Sequence, residues 1–192
     1  CYVHNFPDPD RPRALSFPAG AGHGFRSDMQ DLIEEMRLAI PAAFEGEDYR
    51  NQLKTLEAEI QKEIEGGWRS LEQLAREEGI GLMQTPTGYV LAPIRGEKVL
   101  DDEEFKKLPE QEQRSIQASI ERLHEVLQKH IEHMPKLRRK HRERIRALNQ
   151  EVTEQSVGLI LTSLKAKYSA FGDVVRYLDE VQQDLVENAE DF

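Results

Sequence analysis

The sequence predicts a mainly α fold with a small β component (α+β). Two narrow apolar stripes at helical spacing, in residues 47–78 and 109–150, are separated by two β-rich runs. Charged residues flank each stripe, which is typical of coiled-coil helices. We therefore expect a long antiparallel helical coiled-coil hairpin with a small β-hairpin at its tip. A helical base that bears a short N-terminal β segment is expected to complete the fold.

The composition agrees with narrow helical contacts rather than a large core. Charged residues make up 32% of the 192 residues and apolar residues 38%, and the mean hydropathy is −0.68. The net charge of −10 opposes a generally nucleic-acid-binding surface. A single cysteine, Cys1, excludes an internal disulfide framework and a Cys-based metal cluster. Because no apolar run approaches the ~18 residues that span a bilayer, we expect a cytoplasmic protein without a membrane partner.

These patterns divide the chain into a base and an arm. Residues 1–46 are predicted to belong to the base and residues 47–150 to the helical arm, with a β tip at about 80–100. Beyond residue 152 the apolar stripe broadens, which indicates packing in a globular region. Residues 151–192 are therefore assigned to the base as helices.

The N-terminal part of the base is predicted to begin with strands and continue as a helix. Two strand candidates, 2–6 and 14–17, are joined by "PDPDRPR", whose prolines and aspartates favour a turn. The segment "PAGAGHG" is expected to be a further turn that leads to a capping box at Ser27. A helix from about 28 to 40 follows, and Pro41 is expected to interrupt it.

The residues that could carry chemistry do not form a catalytic pattern. "PAGAGHG" lacks the Lys-Ser/Thr pair of a phosphate-binding loop, so no cofactor is predicted. His130 and His133 have a spacing that could share a metal, but without further ligands these two and His124 are assigned to a solvated helix face. Trp68 is interpreted as a stripe residue. No Ser/His/Asp or paired-carboxylate arrangement is present, so no catalytic or metal residue is assigned.

One basic segment stands out against the acidic background. "KLRRKHRERIR" at 136–146 holds seven cationic residues, and a helix displays them around most of its circumference. A groove-binding helix concentrates its cations on one face, so contact with an acidic partner surface is favoured over nucleic acid. The seven residues are Lys136, Arg138, Arg139, Lys140, Arg142, Arg144 and Arg146.

Several segments resemble the bacterial Lon-related ATP-dependent serine proteases, in the branch with a long helical insertion. They are "CYVHNFPDPDRPRALSFPAGAG", "FRSDMQDLIEEMRLAIPAAFE", "TPTGYVLAPI" and "YLDEVQQDLVENAEDF", in the order of the family. The resemblance implies that the chain is an excised insertion with the strand edge of its AAA+ ATPase region. It implies ATP and a homo-hexameric assembly for the parent, whereas neither the phosphate-loop lysine nor the Ser-Lys dyad would lie within this chain.

The function implied by this resemblance is capture of unfolded or damaged proteins for degradation by the parent. Four apolar residues of the tip, Met83, Tyr89, Val90 and Leu91, are the candidate contacts, and the alternative is that they form the hairpin's own core. Two other functions stay open, nucleic-acid contact through 136–146 and a purely structural spacer. The chain itself is expected to lack peptidase and ATPase activity.

Overall fold

The computed structural model describes residues 1–86, 88–96 and 98–189. Within it, the predicted mainly α fold with small β parts is confirmed. Residues 190–192 of the predicted base, and Thr87 and Glu97 of the predicted tip, lie outside the described residues. In chain order the elements are β1 (Tyr2–Val3), β2 (Arg13–Ala14), α1 (Ala21–Phe44), α2 (Glu47–Glu77), β3 (Ile80–Thr85), β4 (Gly88–Arg95), β5 (Lys98–Val99), α3 (Asp102–Lys106), α4 (Glu110–Lys167) and α5 (Gly172–Glu187).

The chain divides into two compact units. Unit 1 comprises residues 1–56 and 143–192, and unit 2 comprises residues 57–142. The predicted division into base and arm, with boundaries after residues 46 and 150, stays a prediction. Among the described helices, none combines the length and the apolarity needed to cross a bilayer.

Unit 1 is built around an apolar core to which α1, the C-terminal part of α4, and α5 all contribute. Phe25 of α1 lies edge-on to Tyr168, with ring centroids 5.1 Å apart. The Tyr168 hydroxyl donates to the Asp28 carboxylate at 2.6 Å. Burial and this hydrogen bond raise the pKa of Tyr168 to about 12. The buried members of the core are Leu15, Phe25, Leu32, Met36, Ile40, Val157, Leu161, Leu164, Tyr168, Val174, Tyr177 and Leu178.

Helix α1 begins earlier and ends later than the sequence predicts. The predicted start at Ser27 is wrong, because the helix begins at Ala21, after Gly20 adopts a left-handed φ of 88°. Glycine reaches that conformation without steric cost. Burial of Phe25 on the core then outweighs the low helix propensity of the glycines around it. Pro41 lies inside the helix rather than ending it.

The N-terminal strands are shorter than predicted. β1 and β2 pair antiparallel over two residues, with Tyr2 opposite Ala14 and Val3 opposite Arg13. The Arg13 guanidinium donates to Glu180 of α5 at 2.9 Å, which ties this ribbon to the helical part of unit 1. The predicted continuation of the first strand to residue 6 fails because the chain turns, with the Asp8 N–H donating to the Asn5 carbonyl.

In unit 2, segments of α2 and α4 lie side by side with their chain directions opposed. Gly67 of α2 faces His130 of α4, whereas Glu78, just after α2, pairs with the earlier residue Arg122. This is the order of an antiparallel pair, as the apolar stripes predict. The hairpin predicted over the full length of 47–150 stays a prediction, because that range extends over both units.

The three-stranded sheet of unit 2 has the order β3-β4-β5, and both pairings are antiparallel. β3 and β4 pair from Ile80 opposite Pro93 to Thr85 opposite Gly88. β5 is much shorter and pairs with β4 only at Ile94 and Arg95. The sheet packs on the helices through a small core, whose members are Ala75, Ile80 and Leu123, with Leu91, Ile116 and Ile120 packed against it.

Candidate functional site

The three-stranded sheet of unit 2 contains all four predicted tip contacts, on two different faces. Side chains alternate between the faces of a sheet along each strand. Tyr89 and Leu91 therefore share one face of β4, and Val90 lies on the opposite face. Met83 of β3 is directly opposite Val90 and shares its face.

The inner face of the sheet packs against the helices. Tyr89 stacks on Trp68 of α2, with ring centroids 4.1 Å apart and ring planes 23° from parallel. Leu91 packs against the core that contains Ala75 and Leu123. These two predicted contacts therefore hold the sheet in place, as the hairpin-core alternative expects of them.

The outer face of the sheet presents the other pair of predicted contacts. Val90 is 44% exposed, and Met83 beside it is half-buried. Val99 of β5 is also exposed and lies on this face, because its partner Ile94 does. The outer face is thus an apolar surface on a folded support.

A close approach of α2 and α4 supports the inner face. His130 lies edge-on to Trp68, with ring centroids 4.5 Å apart. A Cβ added at Gly67 would overlap the His130 ring, whereas one added at Gly66 would meet nothing within 4 Å. The assignment of His130 to a solvated face is therefore wrong, since it is half-buried. The adjacent glycines were the sequence signal for this approach, but they did not identify the partner.

Substituting Gly67 with alanine is expected to destabilise unit 2 by about 1–3 kcal/mol, because the methyl group forces His130 out of its place against Trp68. Gly66→Ala is the matched control and is expected to stabilise by about 0.5–1 kcal/mol through helix propensity alone. Urea unfolding followed by the fluorescence of Trp68, the single tryptophan of the sequence, measures both changes. Equal effects of the two substitutions would contradict the close approach.

The surroundings of His130 disfavour its charged form. Within the described residues its Nε2 is buried and has no hydrogen-bond partner. Burial, and secondly the neighbouring His133, lower the pKa of His130 below its usual value. A charged His130 therefore disfavours the folded state.

Acidification is accordingly expected to destabilise unit 2 through His130. The pKa of His130 in the folded state lies below its unfolded value of about 6.5. The contribution of neutral His130 to the free energy of unfolding is therefore complete above about pH 6.5, and it is lost as the pH falls through the folded pKa. Urea unfolding at several pH values between about 7.5 and 5, followed by Trp68 fluorescence, should show a weaker dependence in His130→Gln. The exposed His124 provides the control, since His124→Gln should retain the dependence of the unchanged chain.

An ion pair links α4 to the short connection between α2 and β3. Glu78 is largely buried and pairs with Arg122 of α4. The next residue, Gly79, has a φ of 73° and makes the turn into β3. The first strand of the sheet is thereby linked directly to α4.

The predicted basic segment lies on α4, and all seven of its cationic side chains are exposed. Its apolar residues, Leu137 and Ile145, are buried and half-buried respectively. The cations therefore occupy the helix circumference outside the apolar stripe, as the spacing predicts. In the part of the chain that the structure describes, no three His, Cys, Asp or Glu side chains are grouped to hold a metal ion.

Comparison with protein families relates the N-terminal stretch of the chain to a known domain. Residues 1–32 match the Lon-like LonC helical domain family. This supports a relation of that stretch to Lon-related proteases, in agreement with the resemblance of the opening segments. Neither the curated proteins nor the solved structures contain a match to the chain.

Proposed function

We propose that the three-stranded sheet of unit 2 binds unfolded or damaged polypeptides, and that the chain serves as the substrate-recognition insertion of a Lon-related ATP-dependent protease. The observation that carries the proposal is the outer face of the sheet, where Met83 and Val90 lie opposite each other and Val90 is 44% exposed. On the opposite face of the sheet, Tyr89 stacks on Trp68 and Leu91 packs against the small core, and these contacts hold the sheet against the helices.

The chemistry of this face suits unfolded chains better than a single folded partner. A methionine beside a valine gives an adaptable apolar surface that accepts many side-chain shapes. Unfolded proteins expose the apolar segments that folded proteins bury. The match of residues 1–32 to the Lon-like helical domain supplies the protease context. ATP, a homo-hexameric parent and a cytoplasmic location belong to this proposal through the resemblance.

A binding assay tests the proposed function with the chain itself. We expect it to bind reduced, carboxymethylated lactalbumin, which cannot fold, in preference to the native protein. The double substitution Met83→Gln and Val90→Thr removes the apolar face while keeping a β-branched residue in the strand. It should weaken binding by about 5–30-fold, the effect of 1–2 kcal/mol.

The control for this assay is an exposed apolar residue of the other unit. Leu159 of α4 lies in unit 1 and is 80% exposed, so Leu159→Gln should leave binding unchanged. Unchanged Trp68 fluorescence of the double variant shows that the inner face is intact. Equal binding by all three proteins would refute capture by the sheet and leave the chain as a spacer.

The exposed basic segment favours a second candidate, contact with nucleic acid or with an acidic protein surface. Binding to DNA would weaken steeply with salt, because cations that neutralise phosphates release counterions. Titration of duplex DNA at several salt concentrations measures this directly. Replacing Arg138 and Arg142 by glutamine should reduce the salt dependence if the segment contacts phosphates, and absence of binding at low salt would eliminate this candidate.

A further inference from the structure

The hydrogen bonding of β4 leaves one stretch of its backbone open. In an antiparallel pair, hydrogen-bonded and non-hydrogen-bonded residue pairs alternate. The Ile94 N–H donates to the Gly79 carbonyl at 2.8 Å, so β4 residues at even positions pair with β3. The N–H and C=O groups of Tyr89 and Leu91 therefore point away from β3, to the side on which β5 lies.

β5 covers only the end of this side. The Leu100 N–H donates to the Pro93 carbonyl at 2.9 Å, and the residue pairing of β5 extends only over Ile94 and Arg95. Within the described residues, no backbone hydrogen bond from another segment reaches Tyr89 or Leu91. The backbone N–H and C=O groups of Tyr89 and Leu91 therefore have the spacing of a strand edge that lacks a neighbouring strand.

β5 ends after Val99 because a helix begins directly behind it. Asp101 caps α3, since its carboxylate accepts from the Glu104 N–H at 2.8 Å and the Glu104 side chain accepts from the Asp101 N–H. This capping box begins helix α3 directly after β5. If β5 had continued as a strand instead, its next residues would have paired with Leu91 and then with Tyr89. The gap is therefore fixed by the sequence after β5.

We propose that this open edge of β4 receives an extended segment of an unfolded polypeptide, which pairs with Tyr89 and Leu91 in line with β5. The inference rests on the proposed function and specifies how the polypeptide is recognised. An unpaired strand edge is complementary to another extended backbone. Because backbone groups are common to all sequences, this pairing is compatible with many different substrates.

Apolar side chains on the outer face favour this edge over the outer edge of β3. A segment in line with β5 would lie beside the exposed Val90, and β5 itself presents Val99 on the same face. Its outward side chains could pack against both. At the outer edge of β3, the apolar residue of the same face is Met83, which is half-buried and exposes less apolar surface than Val90 and Val99 offer together.

Amide hydrogen exchange of the full chain tests the inference. The probe is a proline-free peptide of about ten residues rich in valine, threonine and tyrosine, a length typical of strands. At a peptide concentration of about 100 Kd, exchange of the Tyr89 and Leu91 amides should slow by up to about 100-fold. The amides of Val90 and Ala92, which face β3, serve as internal controls and should change little.

The outcomes separate this inference from the proposed function. Selective protection of Tyr89 and Leu91 supports strand pairing at this edge. Binding that perturbs Met83 and Val90 without protecting Tyr89 and Leu91 overturns the inference and leaves the proposed function standing. Protection of Leu82 and Gln84 places the peptide on β3 and also overturns it. Failure of both the peptide and unfolded lactalbumin to bind overturns the proposed function as well.

Discussion

Replacing Leu123 by alanine is expected to lower the stability of unit 2 by about 2–5 kcal/mol. Leu123 is fully buried and packs with Ala75 and Ile80, at the contact between the helices and the first strand of the sheet. Alanine there removes apolar contacts and leaves a cavity, because the surrounding helices and strand relax only in part. The loss should appear as a lower urea midpoint in Trp68 fluorescence.

Ile131, on the same helix and within the same unit, provides the control for Leu123→Ala. Its side chain is 46% exposed, so Ile131→Ala should change stability by no more than about 0.5 kcal/mol. If the two substitutions had equal effects, the sheet would not be packed on α4 through Leu123. The basis for treating its outer face as a supported binding surface would then be lost.

Replacing Phe25 by alanine is expected to destabilise unit 1 by about 3–5 kcal/mol. Phe25 is 2% exposed and contacts three other aromatic rings, those of Phe17, Tyr168 and Tyr177. Its removal takes away both the buried area and these ring contacts. Urea unfolding followed by far-ultraviolet circular dichroism measures the loss.

Tyr2 provides the matched control for Phe25, because it is an aromatic residue of the same unit that is 83% exposed. Tyr2→Ala should therefore change stability little. A small effect of Phe25→Ala would contradict the burial of Phe25 in the core of unit 1, and the reason given for the early start of α1 would be lost.

The helices of the chain were predictable where apolar spacing decides the structure. The predicted helix 47–78 differs from α2 by a single residue, and the two β-rich runs predicted between the helical stripes both form strands, β3 and β4. The start of α1 was not predictable, because glycine propensity argues against a helix and only tertiary burial of Phe25 reverses it. Within the predicted apolar stripe of residues 109–150, Ile131 is 46% exposed, which apolar spacing alone does not predict.

The candidate site was predictable in composition but not in arrangement. The apolar residues of the tip were recognisable from the sequence, whereas their division between two faces depends on the register that places Met83 opposite Val90. The contact of Trp68 with Tyr89 and His130 joins residues distant in sequence. The open edge of β4 depends on where β5 ends, which the capping box at Asp101 determines.

Site-specific photo-crosslinking tests the central claim most directly. A photoreactive phenylalanine derivative placed at Val90 should crosslink to unfolded lactalbumin and not to its native form. The same group at Leu159, an exposed apolar position of unit 1, should give little crosslinking to either. Equal crosslinking from the two positions, or crosslinking from Leu159 alone, would contradict recognition of unfolded chains by the three-stranded sheet.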